Sequence, residues 1–270
     1  MPDHHIDMRV ASAPAANNRE TFRVLGVRLA ALQIPDVIER MEAWIARRDG
    51  SRFIAVTNVH VVMEARHKPS FRKVLESADL CVPDGMPLVW VGRLRGHPLE
   101  RRVYGPDLLL DFCRETHEEG YRHFFYGGAP GVPEALAEKL KERFPRLNVV
   151  GVCSPPFRPL TAEEDARQIE MIHQAAPDVL WVGLGCPKQE HWMYEHRDRL
   201  RVPVLVGVGQ AFDIHSGRSR QAPAWIREHG LEWLYRLLAE PRRLWRRYLL
   251  YNSEFIVCES LEVLGLKRFH

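Results

Sequence analysis

Several features that would place this 270-residue sequence quickly are missing from it. It holds no unbroken apolar run of the ~18 residues that a membrane-crossing helix needs, so no transmembrane helix is expected. Its start shows no basic-then-apolar signal pattern. The five cysteines (Cys81, Cys113, Cys153, Cys186, Cys258) are odd in number and scattered, with no CxxC pair. That excludes a disulfide framework or zinc knuckle and suits a reducing compartment. Thirteen histidines form no HxH or HExxH string, and no DxD string occurs. An obligatory metal is therefore not expected. GxGxxG is missing, and so is the Gly-Lys-Ser/Thr of a P-loop, which argues against a nucleotide-dependent oxidoreductase or a P-loop enzyme.

A large net charge is missing too: 38 basic against 35 acidic residues leave +3. The distribution says more than the total. Residues 218–247 hold eight Arg against three Glu, a local +5, so the other 240 residues sum to −2. Three of the seven tryptophans (Trp225, Trp233, Trp245) lie in the same stretch. A near-neutral body with a basic, aromatic C-terminal segment calls for a partner that explains the asymmetry. Composition is otherwise that of a folded soluble chain, 46% hydrophobic and 27% charged. The length fits one large domain or two small ones at ~100–200 residues each.

Residues 1–20 show no periodicity and read as a disordered tail. From there short apolar runs alternate with helical patterns. A strand or hairpin is expected near Val24–Leu29. Strands are expected at Arg52–Thr57, Asp79–Val82, Tyr121–Tyr126, Leu147–Cys153, Asp178–Gly183 and Val204–Gly207. Pro106–Glu119 and Pro133–Phe144 are among the helices between them, and Thr161-Ala-Glu-Glu164 is a capping box that opens another. The predicted fold is α/β: a parallel-sheet, Rossmann-like core over 21–217 with helices on both faces. After Gly217 the alternation stops, and 218–270 reads as a helical appendage.

Ligands of such sheets sit beyond the carboxyl ends of the strands, where this sequence carries its unusual strings. Asn58 and His60 follow one strand and can cap a helix or face a ligand. Asp84 lies in Pro83-Asp84-Gly85, placed to take a proton from a hydroxyl or to cap a helix. Gly127-Gly128-Ala-Pro-Gly131 permits close backbone approach to a phosphate or ribose, or simply a tight turn. Gly185-Cys-Pro-Lys188-Gln189-Glu190 opens a helix with side chains suited to a phosphate or base edge. No histidine can be argued beside Cys186 to make it a nucleophile. Asp213, at the end of Gly207-Val-Gly-Gln210-Ala-Phe212-Asp213, can orient a substrate or close a turn.

These strings, with Arg102-Val-Tyr104-Gly-Pro-Asp107, Phe124-Phe-Tyr-Gly-Gly128, Leu231-Glu-Trp-Leu-Tyr-Arg236 and Glu240-Pro-Arg-Arg243, resemble in order the WecG/TagA/CpsF family of bacterial glycosyltransferases, from about Val24 to Tyr248. The resemblance implies an inverting transfer of a hexose or N-acetylhexosamine-type sugar from a UDP-sugar to a polyprenyl-diphosphate-linked saccharide. The setting would be surface polysaccharide synthesis, with the enzyme peripheral on the cytoplasmic face of the plasma membrane. It assigns the general base to Asp84. The family's threonine falls on Val56, so Thr57, one residue later, is the candidate in its place. Substrate contacts are expected from Asn58, His60, Arg102, Tyr104, Gly127, Gly128, Gly185, Lys188, Gln189, Glu190, Gln210, Phe212 and Asp213.

With no DxD string, the diphosphate is expected to meet Arg236, Arg242, Arg243 and Arg247, with Arg220 standing one before the family's arginine slot. The same Arg/Trp segment suits an anionic membrane surface. Two other classes stay open on the residues alone. A nucleic-acid binder would use the Arg/Trp segment, although the low overall charge speaks against it. The other is the oxidoreductase. A homo-oligomer is a prior only.

Overall fold

The computed structural model describes residues 20–269. The expected N-terminal tail lies outside the described residues except for Glu20, as do the side chains of Arg243 and Arg247. The described chain opens with a hairpin of β1 (Thr21–Val24) and β2 (Val27–Ala30). Helix α1 (Ile34–Arg47) leads to β3 (Arg52–Thr57), and α2 (Val59–His67) and α3 (Pro69–Glu76) lead to β4 (Leu80–Pro83). Helices α4 (Met86–Leu94) and α5 (Gly105–Thr116) precede β5 (Arg122–Gly127); α6 (Val132–Arg143) precedes β6 (Asn148–Cys153). Then come α7 (Ala162–Ala175), β7 (Val179–Gly183), α8 (Lys188–His196), β8 (Val204–Gly207) and α9 (Ala211–His215). The remainder is helical: α10 (Ala224–Glu228), α11 (Glu232–Ala239), α12 (Pro241–Trp245), a π-helical turn over Arg246–Leu250, and α13 (Tyr251–Val263).

Strands β3 to β8 form one parallel sheet in the order β4-β3-β8-β7-β5-β6. The pleat sends neighbouring side chains to opposite faces, and two separate apolar layers result. Phe53, Ala55, Phe124, Tyr126, Leu180, Val182 and Leu205 join α2, α3 and α8 on one face. Ile54, Val56, Phe125, Val179, Trp181, Val204 and Val206 join α1, α5, α6 and α9 on the other. Continuous apolar strands are what a sheet covered on both faces requires, and this is the Rossmann-like core expected from the alternation. The Thr161 capping box forms as read, with Thr161 Oγ1 accepting from Glu164 N at 3.2 Å and Thr161 N donating to Glu164 at 3.0 Å. Helix α5 stops at Thr116, three residues short of expectation.

The helical segment does not stand clear of the core. Phe255 and Cys258 of α13 are buried in the first layer. The acids of α13 meet basic side chains of α2 and the end of α4. Arg66 donates to Glu254 at 3.2 Å and Arg95 to Glu259 at 2.6 Å, while Tyr251 donates to Glu64 at 2.9 Å. Among the described residues no helix is long and apolar enough to cross a membrane.

Candidate active site

A cavity of about 740 Å³ opens over the carboxyl ends of the sheet, between the core and α11–α12. Its floor is backbone. Gly128, Gly183, Gly185, Gly207 and Gly209 all line it, at or just beyond the ends of β5, β7 and β8. Gly127 holds the floor together: its φ is +125°, and a Cβ there would come within 2.6 Å of the Gly183 backbone. No side-chain-bearing residue fits such an approach without movement of a strand end. Gly128 N donates to Gly183 O at 3.0 Å, closing the contact.

Asp84 enters from the core side. β4 ends at Pro83, and Gly85 (φ +142°) turns the chain into α4. The backbone N–H of Asp84 donates to Thr57 O at 2.7 Å, which fixes the carboxylate beside β3. Its Oδ1 is buried and accepts no hydrogen bond, with Arg102 Nη1 3.7 Å away. Burial above all pushes this carboxyl up to about 7. Arg102 opposes the rise, Glu232 adds to it, Arg236 opposes it and Asp107 adds again. A carboxylate that titrates near neutrality, facing a cavity, is suited to proton transfer.

Asn58 lies at the junction of β3 and α2. Its Oδ1 caps α2 by accepting from Val61 N at 3.2 Å, and the residue also lines the cavity. Tyr104, Gly128, Gly185, Gln189, Gln210, Asp213 and Arg236 of the expected set line it too. Gln189 is nearly spent on the fold, because its Oε1 accepts from Gly185 N at 3.2 Å and its Nε2 donates to Glu190 at 2.9 Å. It shapes the Gly185 turn.

Other expected residues fall elsewhere. Thr57 is corrected: it is fully buried and does not line the cavity, and its hydroxyl donates to Ala55 O at 3.0 Å. The pleat turns Val56 toward the cavity and Thr57 away, and the contribution of Thr57 is its carbonyl under Asp84. His60 stacks on Tyr251 of α13 at 5.4 Å, so it belongs to the docking of that helix. Phe212 is buried beneath Gly183 and Gly128 as packing. Glu190 is buried beside Gln189, whereas Lys188, Arg220 and Arg242 are exposed and outside the cavity wall. Arg102 stands behind the cavity wall, against Asp84 and the Tyr104 ring.

Sequence reasoning passed over Phe157, Arg218, Glu240 and Leu244, which also line the cavity. In the sequence Arg218 stands out only as a charge of the basic segment, and Glu240 only as the first residue of the Glu240-Pro-Arg-Arg243 string. Phe157 sits alone in a proline-rich loop, where no periodicity marks it. Among the described residues no group of three or more His, Cys, Asp or Glu is placed to hold a metal ion.

A parallel α/β sheet with a glycine-floored cavity and one buried carboxylate at its strand ends defines a Rossmann-like class of ligand-binding enzyme. Residues 22–268 match the Glycosyl transferase WecG/TagA/CpsF family; the chain belongs to that family and is a glycosyltransferase. The oxidoreductase alternative falls with this. Among similar proteins is an N-acetylglucosaminyldiphosphoundecaprenol N-acetyl-beta-D-mannosaminyltransferase of Bacillus spizizenii. It is 33% identical over 218 residues, covering 80% of this chain and 82% of the relative. Proteins of the same name from Bacillus subtilis and Staphylococcus aureus are 30% and 26% identical, covering 73% and 85% of this chain and 74% and 89% of theirs.

Proposed function

We propose that this glycosyltransferase moves an N-acetylhexosamine-type sugar, N-acetylmannosamine foremost, from a UDP donor to a polyprenyl-diphosphate-linked N-acetylglucosamine. The names of the relatives support the sugar and the acceptor. A β-linked product from an α-linked nucleotide sugar needs one displacement, hence inversion. Asp84 carries the reading. One carboxylate oxygen takes the proton of the acceptor hydroxyl as that oxygen bonds to the anomeric carbon. The bond from that carbon to the diphosphate breaks on the opposite face, through an oxocarbenium-like state. The departing UDP gathers negative charge, which the guanidinium groups of Arg218 and Arg236 on the cavity wall meet.

The enzyme works as a peripheral protein on the cytoplasmic face of the bacterial plasma membrane. Two observations support this: the +5 charge of residues 218–247 and an exposed apolar stripe. Leu249 and Leu250, Ile256 and Val257, and Val263 and Leu264 recur seven apart through the π-helical turn and α13, and all are at least half exposed. Apolar insertion beside basic charge is what an anionic lipid surface selects.

The test is Asp84→Asn, with UDP release measured against a synthetic lipid-diphosphate acceptor. Turnover is expected to fall ~10²–10⁴-fold. The wild-type rate should rise with pH through an acid limb near 7, and the variant should lose that limb. Stability moves the other way. A carboxyl whose folded pKa lies above its unfolded value holds its proton more tightly when folded. Charging it therefore destabilises the fold as pH rises toward 7. The variant should melt higher than wild type at pH 8, with the gain shrinking as pH falls toward 4. Near-wild-type turnover at neutral pH would overturn the assignment.

A further inference from the structure

We infer that Glu232, on α11 of the helical segment, is a positioning residue that holds Arg102 back from Asp84 and so keeps the carboxylate available as a base. The geometry is a clasp across 130 residues of sequence. Glu232 is buried. Its Oε2 accepts from Arg102 Nη2, and its Oε1 accepts from the Tyr104 hydroxyl at 2.8 Å. The Arg102 guanidinium lies 4.1 Å above the Tyr104 ring, so it is held from two sides. Its other terminal nitrogen stands 3.7 Å from Asp84 Oδ1, beyond hydrogen-bond reach.

An arginine free to swing onto a buried carboxylate would form the usual charge-assisted pair. That pair would draw the carboxyl down into the ordinary acidic range and leave a weak base. Glu232 occupies the arginine instead, and its own negative charge adds to the rise at Asp84. The charged and titratable groups that act on Asp84 come from three elements: Arg102 and Tyr104 from the loop before α5, Asp107 from α5, and Glu232 and Arg236 from α11. Asp107 has its own cation, Arg227 of the helical segment, at 3.2 Å. Because Glu232 belongs to α11, the base is set to its working strength only while that helix is docked on the core.

The inference rests on Asp84 being the base, and the experiment separates the two. The full chain is labelled with ¹³C at the aspartate side-chain carboxyls, and the Asp84 signal, assigned by its loss in Asp84→Asn, is titrated. In parallel, kcat/KM is followed against pH. Glu232→Gln keeps the shape and acceptor oxygen but removes the charge. The Asp84 midpoint is expected to fall by about one pH unit, and the acid limb of kcat/KM with it. Glu232→Asp retains the charge on a shorter arm and should place the midpoint between the two. A structural clamp alone would lower the melting temperature and leave the midpoint where it is. An unchanged or raised midpoint in Glu232→Gln, or one for Glu232→Asp outside that interval, overturns the inference. If Asp84→Asn keeps the acid limb, the base assignment fails, while the carboxyl titration still decides what Glu232 does to Asp84.

Discussion

The sheet-bearing core and the helical segment after Gly217 bury their apolar side chains to different degrees. The largest fully buried side chains, Trp181, Tyr126, Phe53 and Phe71 among them, all precede residue 213. Among the described residues only five large apolar side chains of the core are exposed, against twelve in the much shorter segment beyond it. A core saturates its own apolar surface; a segment that leaves so much of its surface open has a second face to satisfy. Charge divides the same way. The acids of α13 and α11 turn inward onto Arg66, Arg95 and Arg102, whereas Arg218 and Arg236 line the cavity. The core thus supplies a carboxylate and a backbone floor, and the segment supplies cations and an apolar exterior.

Arg236 tests that division most severely. It lines the cavity, its Nε has no hydrogen-bond partner, and its charge opposes the rise at Asp84. Arg236→Met should cost on the order of 10²-fold in kcat, comparable to removing one donor that meets developing charge. Its acid limb should move up, the reverse of Glu232→Gln, because a stabilising cation has gone. A loss below threefold with no movement of the limb would mean that the chemistry resides wholly in the core, and the comparison would break.

The outer face of the segment is tested by Ile256→Glu. Ile256 is 63% exposed, so the fold should tolerate the change within about 0.5 kcal/mol. Burying an isoleucine side chain is worth about 1.5–3 kcal/mol, so partition onto anionic vesicles should weaken at least ~10-fold. Turnover on a soluble short-chain acceptor should stay at the wild-type level. Undiminished pelleting would remove the membrane from the reading. Dissociation of a dimer in sedimentation, without loss of pelleting, would assign the stripe to a second copy of the chain.

How far the sequence spoke depended on the range of the interaction. Local signals came through: the Thr161 capping box, the apolar strands, and the turn set by Gly85 after Asp84. The cavity wall was legible where a strand end and a helix start adjoin, as at Asn58 and Gly185. Strand order was not legible, because parallel pairs such as β3 with β8 join residues about 150 apart, with no turn chemistry to announce them. The clasp of Glu232 on Arg102 escaped for the same reason, although both residues stand in strings that carried the family resemblance. Thr57 shows a different limit. A strand's period is two, so a register error of one residue moves a side chain to the opposite face.

Thr57→Val therefore sharpens the comparison from its smallest effect. The change is nearly isosteric, and the hydroxyl it deletes donates to Ala55 O and meets the buried Cys81 thiol, inside the core. One hydrogen bond of that kind is worth about 0.5–1.5 kcal/mol of stability. The Thr57 carbonyl, which receives the Asp84 N–H, is untouched, so Asp84 keeps its place. A lowered melting temperature with kcat within about twofold of wild type is expected. A tenfold loss of kcat at an unchanged melting temperature would bring the hydroxyl into the chemistry. The core would then contribute a second side chain beside Asp84, not a carboxylate on a backbone floor alone.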